Sequence, residues 1–299
     1  LTARCGEAGS TILNSCVRSL GCKEFTPSAQ RKGKVRKMRI TVMRANPAGN
    51  ITLFVLSPVE KKDHASLAEK LMALERFKAE QVGYCCEPES DVDGHMEMSG
   101  GEFCGNATRA YGMLVAQQKK MTGKESLKIR VSGCDHPVKV DVDMEAQTAR
   151  SEMPLPRFVR RELVEGKEGV LVHLGGIAHF VVENVEPSLA FFEQAETMFR
   201  GLNDLDAYGV MFLDGKTHRL TPLVKVPAAN SLFWEGSCGS GSLATVIART
   251  EGMADGEYSE DIIQPAGTVR VTTMRKNGRV VAAYIGGGVE LDDPVEVEV

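Results

Sequence analysis

The feature that most constrains this chain is a pair of matching stretches, in each of which a Cys-Gly dipeptide directly precedes an apolar helical pattern. The dipeptides are Cys104-Gly105 and Cys238-Gly239, separated by close to half of the 299 residues. The apolar residues after them recur at helical spacing, namely Ala107, Ala110, Tyr111 and Leu114 in the first stretch and Leu243, Val246 and Ile247 in the second. The repetition predicts two matched half-domains, each of which presents one thiol at a helix N-terminus.

A thiol at a helix N-terminus has a specific chemistry. The N-terminus carries roughly half a positive charge and several unpaired N–H groups, which are expected to lower the pKa of a nearby thiol from about 8.5 towards neutrality. The same groups bind carboxylates, and here they belong to Gly105, Asn106, Gly239 and Ser240. Two such ends that face each other would hold one carboxylate, with a sulfur atom on either side of the adjacent carbon. The two cysteines are therefore predicted to take a proton from one face of that carbon and return one to the other.

Composition excludes several classes of protein. Hydrophobic residues make up 42 % of the chain, which is enough for a real core. The net charge of −4 provides no basic field for nucleic acid, and no apolar run reaches the roughly 18 residues that a membrane span needs. The eight cysteines lack the compact, regular spacing of a disulfide framework, so reduced thiols in a cytoplasmic protein are expected.

Neither a cofactor nor a metal is predicted. The chain has no phosphate-binding loop, no dinucleotide fingerprint after its first strand and no zinc motif. Pyridoxal phosphate stays open because its lysine has no universal motif, although two opposed thiols would make it unnecessary. The adjacent Cys85 and Cys86 lack the spacing of metal ligands.

His179 follows a Gly-rich turn, where it could line a cleft or make a structural hydrogen bond. Three other histidines lie in polar contexts and are expected to be solvated, namely His64, His136 and His218.

The order of the predicted elements divides the chain into an extension and two lobes. Residues 1–37 lack hydrophobic periodicity and are expected to be a disordered or non-native extension. Residues 38–155 form a predicted N-terminal lobe, to which 280–299 return, and residues 156–279 form a C-terminal lobe. In each lobe, strands and a peripheral helix precede the Cys-Gly helix. Besides the helix after Cys238, helices are predicted at 63–77, 104–119 and 188–202.

At its two cysteines the chain resembles the diaminopimelate epimerase superfamily of cofactor-independent racemases and epimerases. That superfamily carries Cys-Gly-Asn in its first half and Cys-Gly-Thr/Ser-Gly in its second, matched here by 104–106 and 238–241. The Gly49-Asn50 turn is similar to its first substrate loop. The resemblance covers roughly residues 38–290. It implies an α/β fold with two pseudo-symmetric lobes, each a curved β-sheet or barrel around a central helix, and a site in the cleft between the lobes.

Within that superfamily, the chain is similar to the histidine racemases of opine-type, staphylopine-like metallophore pathways. Six separate segments carry this likeness in order, namely 46–50, 80–83, 98–108, 131–134, 234–241 and 264–267. The resemblance implies that Asn50 and Glu80 bind the amino group or the side chain of the substrate, and that Glu80 meets an imidazole N–H. Gly101 departs from the Asn that this branch carries.

Two departures from the diaminopimelate epimerases bear on the substrate. Those enzymes have a Glu-Arg pair eight to nine positions before the second cysteine, and its Arg helps to bind substrate, whereas this chain has Ala229 and Asn230. They also have Asn-Pro-His where this chain has 177–179, Ile-Ala-His. An anionic far end of the substrate would lose its charged partner in a desolvated cleft. The substitution therefore favours a substrate side chain without a carboxylate.

The sequence therefore predicts a cofactor-independent amino-acid racemase that interconverts L- and D-histidine for opine metallophore biosynthesis. Cys104 and Cys238 exchange the roles of thiolate base and thiol acid according to direction. A cytoplasmic homodimer that acts on a small amino acid, without nucleic-acid or membrane partners, is expected. Diaminopimelate epimerase, a racemase of another amino acid such as proline, and a non-catalytic thiol protein that holds a ligand remain alternatives. Solvent deuterium exchange at Cα would separate an enzyme from a binding protein.

Overall fold

A computed structural model describes residues 38–203, 205–227 and 231–299 of the protein. The predicted extension at residues 1–37 and the departure at Ala229 and Asn230 lie outside these ranges. The described residues form a large curved sheet with four α-helices. No helix in this part of the chain combines the length and the apolar character that crossing a membrane requires.

The strands fall into two runs along the chain. The first run comprises β1 Arg39–Asn46, β2 Thr52–Val55, β3 Gln81–Cys86, β4 Gly94–Met98, β5 Lys124–Val131, β6 Val138–Asp143 and β7 Thr148–Glu152. The second comprises β8 Phe158–Val164, β9 Lys167–His173, β10 Ile177–Glu183, β11 Ala207–Asp214, β12 Arg219–Val226, β13 Ser231–Trp234, β14 Gly256–Gln264, β15 Gly267–Lys276 and β16 Arg279–Gly288. Two short strands, β17 Glu290–Leu291 and β18 Val295–Glu298, end the chain.

The four helices are α1 His64–Met72, α2 Gly105–Gln118, α3 Leu189–Phe199 and α4 Gly239–Arg249. Three of them begin after a residue with extended backbone whose side chain accepts a hydrogen bond from an N–H of the first turn. That residue is Ser188 for α3, and it is Cys104 for α2 and Cys238 for α4. The two cysteines therefore cap their helices, as the sequence predicted.

The pairing of the strands is duplicated between the two runs. In the first run, β1 pairs antiparallel with β2, β2 runs parallel to β3, β4 runs parallel to β5, and β5, β6 and β7 are antiparallel neighbours. The second run repeats this order with β9, β10, β11, β12, β14, β15 and β16. The outer strand of each repeat is paired in the same way, β1 with β17 and β18 and β9 with β8. This duplication confirms the predicted fold of two pseudo-symmetric lobes.

The two repeats join where β7 pairs antiparallel with β16, from Glu152 opposite Tyr284 to Thr148 opposite Gly288. The pairing of β17 and β18 with β1 takes the end of the chain back to its first strand. The boundaries predicted for the lobes stay predictions, because strand pairing continues across them.

Helices α2 and α4 lie at the centres of the two repeats. Residues 105–116 of α2 are all buried, and they pack among the strands β4 to β7. Small side chains permit this position, since a Cβ atom on Gly112 would lie only 2.5 Å from Cγ1 of Val140. The apolar face of α4 packs in the same way against β9, β11, β14, β15 and β16. Each cysteine is thus fixed at the end of a rigid, buried helix.

Several details differ from the sequence prediction. The first helix ends at Met72 and is followed by a separate 3-10 turn at Glu75–Phe77. Strand β8 begins at Phe158, directly after the boundary predicted near residue 155. His64 is buried and stacks on Tyr84 with ring centroids 3.7 Å apart, so the prediction that it is solvated was wrong.

Candidate active site

The two cysteines have the same hydrogen bonds at their helix starts. The N–H of Ala107 lies 3.5 Å from Sγ of Cys104, and the N–H of Gly241 lies 3.3 Å from Sγ of Cys238. Each cysteine carbonyl also accepts a side-chain hydroxyl from four residues further on, that of Thr108 at 2.8 Å and that of Ser242 at 2.7 Å. The N–H groups that point at each sulfur favour its thiolate form.

The two helix starts meet at one side chain of β16. A Cβ atom on Gly105 would lie 2.8 Å from Cδ1 of Ile285, and one on Gly239 would lie 2.7 Å from the same atom. The same position on Gly239 is 3.5 Å from Nδ2 of Asn106, so the two N-termini are in contact. Gly239 and Ser240 are partly exposed, whereas Gly105 and Asn106 are buried. The structure therefore brings together the four residues predicted to bind a carboxylate.

A turn after a strand supports the loop before each cysteine. In the first repeat, the hydroxyl of Ser132 donates to the carbonyl of Glu102 at 2.8 Å. The next residue, Gly133, has a φ of +73°, and a Cβ atom there would lie 2.3 Å from the backbone nitrogen of Phe103. In the second repeat, Gln264 accepts from the backbone N–H of Cys238 at 2.7 Å. The motifs at 131–134 and 264–267 therefore hold the two cysteine loops in place.

Asn50 and Glu80, the other two predicted site residues, lie beside Cys104. The Cys104 thiol donates to Oδ1 of Asn50 at 3.8 Å, and Nδ2 of Asn50 donates to Glu80 at 2.8 Å. Gln81 donates to the same Oδ1 at 2.9 Å and to the hydroxyl of Thr52 at 2.8 Å. Glu80 is exposed and accessible to a bound molecule, while Asn50 is held in a fixed orientation between its partners.

The direction of the thiol pKa shifts corrects one prediction. Burial raises the pKa of the Cys104 thiol above its ordinary value, while the N–H of Ala107 and the side chain of Gln81 act in the opposite direction. The helix starts do supply donors, as expected, but desolvation of the buried thiolate is the larger effect. The expected lowering of the pKa towards neutrality was therefore wrong for the protein without a bound molecule.

Glu235 is a site residue that the sequence reasoning missed. Its carboxyl lies close to the Cys238 thiol and interacts with it. Burial raises the pKa of the Cys238 thiol well above its ordinary value, and Glu235 raises it further. Burial and the neighbouring Glu80 raise the pKa of Glu235 itself to about 7. A carboxyl three residues before a cysteine thought to be catalytic was a signal in the sequence that could have identified it.

His179 connects to the second cysteine through Ser240. His179, which was predicted to follow a Gly-rich turn, lies within β10 and is fully buried. Its Nε2 atom lies 2.9 Å from the hydroxyl of Ser240, which lies 3.6 Å from Sγ of Cys238. Burial lowers the pKa of His179 to about 3, so the imidazole is neutral at physiological pH. Ser240 therefore contacts the thiol with its side chain as well as offering a backbone N–H.

A groove of about 880 Å³ lies elsewhere, on the outer face of β5 to β7 and β14 to β16. Its floor includes Gly286, and two ion pairs flank it, Asp141 with Arg150 and Asp261 with Arg270. None of the eight predicted site residues lines this groove. It is a separate feature from the cysteine site.

The duplicated fold, with a cysteine capping each of two helices that meet, is similar to that of solved racemases, epimerases and isomerases. Solved structures with this fold include a hydroxyproline epimerase from Agrobacterium vitis, with a TM-score of 0.61, 11 % sequence identity and coverage of 87 % of this chain and 93 % of that chain. A methylitaconate-delta-isomerase has a TM-score of 0.55 at 12 % identity, with coverage of 88 % and 96 %. At these identities the likeness shows the fold.

The chain belongs to the histidine racemase family. The family model described as "Histidine racemase CntK N-terminal domain" matches residues 39–293. A histidine racemase from Staphylococcus aureus is 29 % identical over 245 residues, which cover 79 % of this chain and 89 % of that protein. A histidine racemase from Fusobacterium nucleatum is 32 % identical over 222 residues, which cover 71 % of this chain and 81 % of that protein.

Proposed function

We propose that this protein interconverts L- and D-histidine through Cys104 and Cys238. The observation that carries the proposal is the contact of the two cysteine-capped helix starts at Ile285, which supports a single site between the two thiols. Membership of the histidine racemase family and the names of the relatives support the choice of histidine. The polar groups beside Cys104, Asn50 and Glu80, suit a substrate with a hydrogen-bonding side chain.

The proposed reaction moves two protons. The thiolate of one cysteine takes the proton from Cα and becomes a thiol, and the resulting carbanion has its negative charge spread into the carboxylate. The thiol of the other cysteine then gives its proton to the opposite face of Cα and becomes a thiolate. The product is the mirror image of the substrate, and the protonation states of the cysteines are exchanged. In the reverse direction the two cysteines exchange roles.

Stabilisation of the carbanion is the demanding step, because the Cα proton of an amino acid is weakly acidic. The N–H groups of Gly105, Asn106, Gly239 and Ser240 belong to the first turns of α2 and α4, where helix geometry provides no intrahelical acceptor. These groups are proposed to bind the α-carboxylate, whose negative charge grows in the transition state. They keep their positions because both helices are buried.

The substrate itself helps to ionise a thiol. Burial raises the pKa of both thiols, so each is mainly protonated in the resting protein. The α-ammonium group of histidine, brought into the same small volume, would favour a thiolate by direct charge attraction. Glu80, which is exposed beside Asn50, is proposed to receive the imidazole N–H or the ammonium group. Binding and activation of the base are thereby coupled.

Several finer features belong to the same proposal. The two-thiol chemistry needs no metal and no organic cofactor, since the residues themselves accept and donate both protons. The resemblance to the histidine racemases of staphylopine-like pathways supports a role in opine metallophore biosynthesis. We also propose a cytoplasmic homodimer, in keeping with reduced thiols at the site. The boundaries of the two lobes near residues 155 and 279 are part of the proposal as well.

The test is Cα exchange of histidine in deuterated water. Incubation of L-histidine with the protein should yield D-histidine, and the D-product should carry deuterium at Cα because the second proton comes from a thiol equilibrated with solvent. Activity should survive treatment with a chelator and dialysis. Binding of histidine without exchange or racemisation would instead indicate a ligand-binding protein. Faster turnover of diaminopimelate than of histidine would overturn the choice of histidine as the substrate and would leave the proposed reaction class unchanged.

A further inference from the structure

The residue two positions after each cysteine connects to a fully buried basic side chain. In the first repeat, Oδ1 of Asn106 accepts from Nε of Arg109 at 3.2 Å. In the second, the hydroxyl of Ser240 is 2.9 Å from Nε2 of His179. Both basic side chains have a relative exposure of 0 %. The arrangement is the same in the two repeats, but one partner is a guanidinium and the other is an imidazole.

Arg109 carries its charge without a carboxylate partner. In the described part of the chain it forms no ion pair, and its Nη1 donates to the carbonyls of Gly287 at 3.1 Å and Gly288 at 3.0 Å. Its Nη2 has no hydrogen-bond partner. The fold therefore holds an uncompensated positive charge in the first turns of α2. Burial of a cation without a counter-charge costs free energy. An anion that forms nearby would receive the benefit of that charge.

The Cys104 thiolate is such an anion. It caps the helix on which Arg109 lies, and Asn106 lies between the two along the chain. Burial lowers the pKa of Arg109 to about 10, while the negative charge of a Cys104 thiolate acts to raise it. Because the attraction between opposite charges is mutual, the guanidinium favours the thiolate. The nearby carboxylate of Glu102 opposes ionisation of Cys104.

The second cysteine lacks a corresponding charge. The buried imidazole of His179 stays neutral, since burial lowers its pKa to about 3. The charged group that faces Cys238 is Glu235, whose carboxylate opposes formation of a thiolate. The surroundings of the two thiols are therefore unequal even though their helix caps match.

We propose that Arg109 is a positioning residue that makes Cys104, rather than Cys238, the first of the two thiols to ionise in the resting protein. The proposal rests on the proposed function in that it takes these two cysteines as the acid and base. Arg109 acts without touching substrate, through its charge and through Asn106, whose amide it orients so that Nδ2 faces Gly239. The resting protein is thereby prepared to bind the enantiomer whose Cα proton faces Cys104.

The test measures the ionisation of each thiol by alkylation. The wild-type protein and the variants Arg109→Lys and Arg109→Gln are treated with iodoacetamide at a series of pH values without substrate. Mass spectrometry of the peptides that contain Cys104 and Cys238 then gives a rate against pH for each thiol. The midpoint of each curve reports ionisation, whereas its plateau reflects accessibility. Thermal unfolding of each variant shows that it is folded.

In the wild type, we expect the midpoint for Cys104 to lie below that for Cys238. Arg109→Gln should raise the Cys104 midpoint by about one pH unit, which is a roughly tenfold loss of alkylation rate below the midpoint. Arg109→Lys keeps the charge and should recover most of that shift. The midpoint for Cys238 should move much less in both variants. A role in packing alone would lower thermal stability and leave the Cys104 midpoint unchanged.

The proposal is overturned if the wild-type Cys104 midpoint lies at or above that of Cys238, or if Arg109→Gln shifts the two midpoints equally. If Arg109→Gln fails to fold, the comparison of the two midpoints in the wild-type protein still tests which thiol ionises first. Racemisation by a protein without Cys104 would refute the proposed function, and the order of ionisation could still be measured in that case. The two proposals therefore fail by different observations.

Discussion

The side chain of Gln264 holds the backbone of Cys238 by a short, buried hydrogen bond. Its Oε1 accepts from the Cys238 N–H at 2.7 Å, and its Nε2 donates to the hydroxyl of Ser242 at 2.9 Å. Ser242 in turn donates to the carbonyl of Cys238 at 2.7 Å. Gln264 is only 4 % exposed. The amide of Gln264 thus fixes the backbone N–H of Cys238 directly and the carbonyl of Cys238 through Ser242.

Gln264→Ala should destabilise the protein and slow racemisation. The substitution leaves the buried N–H of Cys238 without a partner and removes one of the two hydrogen bonds of the Ser242 hydroxyl. This loss should cost about 1–3 kcal/mol in the free energy of unfolding. The Cys238 thiol would also lose its fixed direction. Urea unfolding and the rate of histidine racemisation check both effects. Gln194→Ala, at an exposed position of α3, is the matched control and should change the unfolding free energy by less than about 0.5 kcal/mol. Equal effects of the two substitutions would contradict this role.

Much of the fold could be predicted from the sequence because its strongest signals are local. A capping residue before an apolar stripe located α2 and α4, and both begin where predicted. The exposed strands β8 and β14 alternate weakly and carry many charges, so their pattern did not distinguish them from loops. Their identity as strands depends on pairing with distant partners, which periodicity within one segment cannot reveal.

The candidate site was predicted only in part for a similar reason. Local motifs identified the two cysteines, whereas the contact of His179 with Ser240 joins positions 61 residues apart. The contact of Arg109 with Gly287 and Gly288 joins even more distant positions. The direction of the thiol pKa shifts also depends on burial by the whole fold. Such properties become visible only in three dimensions.

Replacement of either Cys104 or Cys238 by Ser should abolish racemisation. A hydroxyl is a far weaker acid than a thiol, so it does not supply the base at neutral pH. Each single variant should still exchange the Cα proton of the one enantiomer that faces its remaining thiol. Polarimetry measures racemisation, and proton NMR in deuterated water measures exchange for each enantiomer separately. Cys134→Ser, at a partly buried thiol in the turn after β5, is the control and should keep most of the activity.

Retention of more than about a tenth of the wild-type rate in Cys104→Ser or Cys238→Ser would refute the two-base mechanism, because a positioned general base contributes roughly a hundredfold or more. Loss of exchange with both enantiomers in a single variant would point instead to one cysteine acting on both faces.

Glu235 should make the stability of the protein depend on pH. Its pKa is raised to about 7 in the folded protein by burial and by Glu80, compared with about 4.3 in an unfolded chain. Between these two pH values the unfolded chain has released its proton and the folded protein has kept it. Stability therefore falls as the pH rises through this window, by at most about 4 kcal/mol, and the penalty is constant above pH 7.

Glu235→Gln should remove this penalty. Relative to the wild type, the variant should gain stability between pH 5 and pH 8, as measured by urea unfolding at both values. Glu80→Gln provides a second check, because removal of the neighbouring charge should lower the pKa of Glu235 in the folded protein and narrow the pH window from its upper end. A difference between wild type and Glu235→Gln that is the same at pH 5 and pH 8 would show that the carboxyl titrates normally.

The substrate side chain should be selected by the polar groups beside Cys104. Imidazole offers one donor and one acceptor, which Glu80 and Asn50 can satisfy. A site built around these hydrogen bonds should reject aliphatic amino acids by roughly four orders of magnitude, because its polar groups would be left unpaired. The measurement follows loss of the Cα proton from a panel of L-amino acids in deuterated water, and histidine should exchange fastest.

Glu80→Ala should reduce the preference for histidine more than it slows the residual exchange of other amino acids. Glu80→Gln, which keeps an acceptor, should lose less of that preference. If Glu80→Ala slowed every amino acid equally, Glu80 would act in the chemistry common to all substrates rather than in the choice between them.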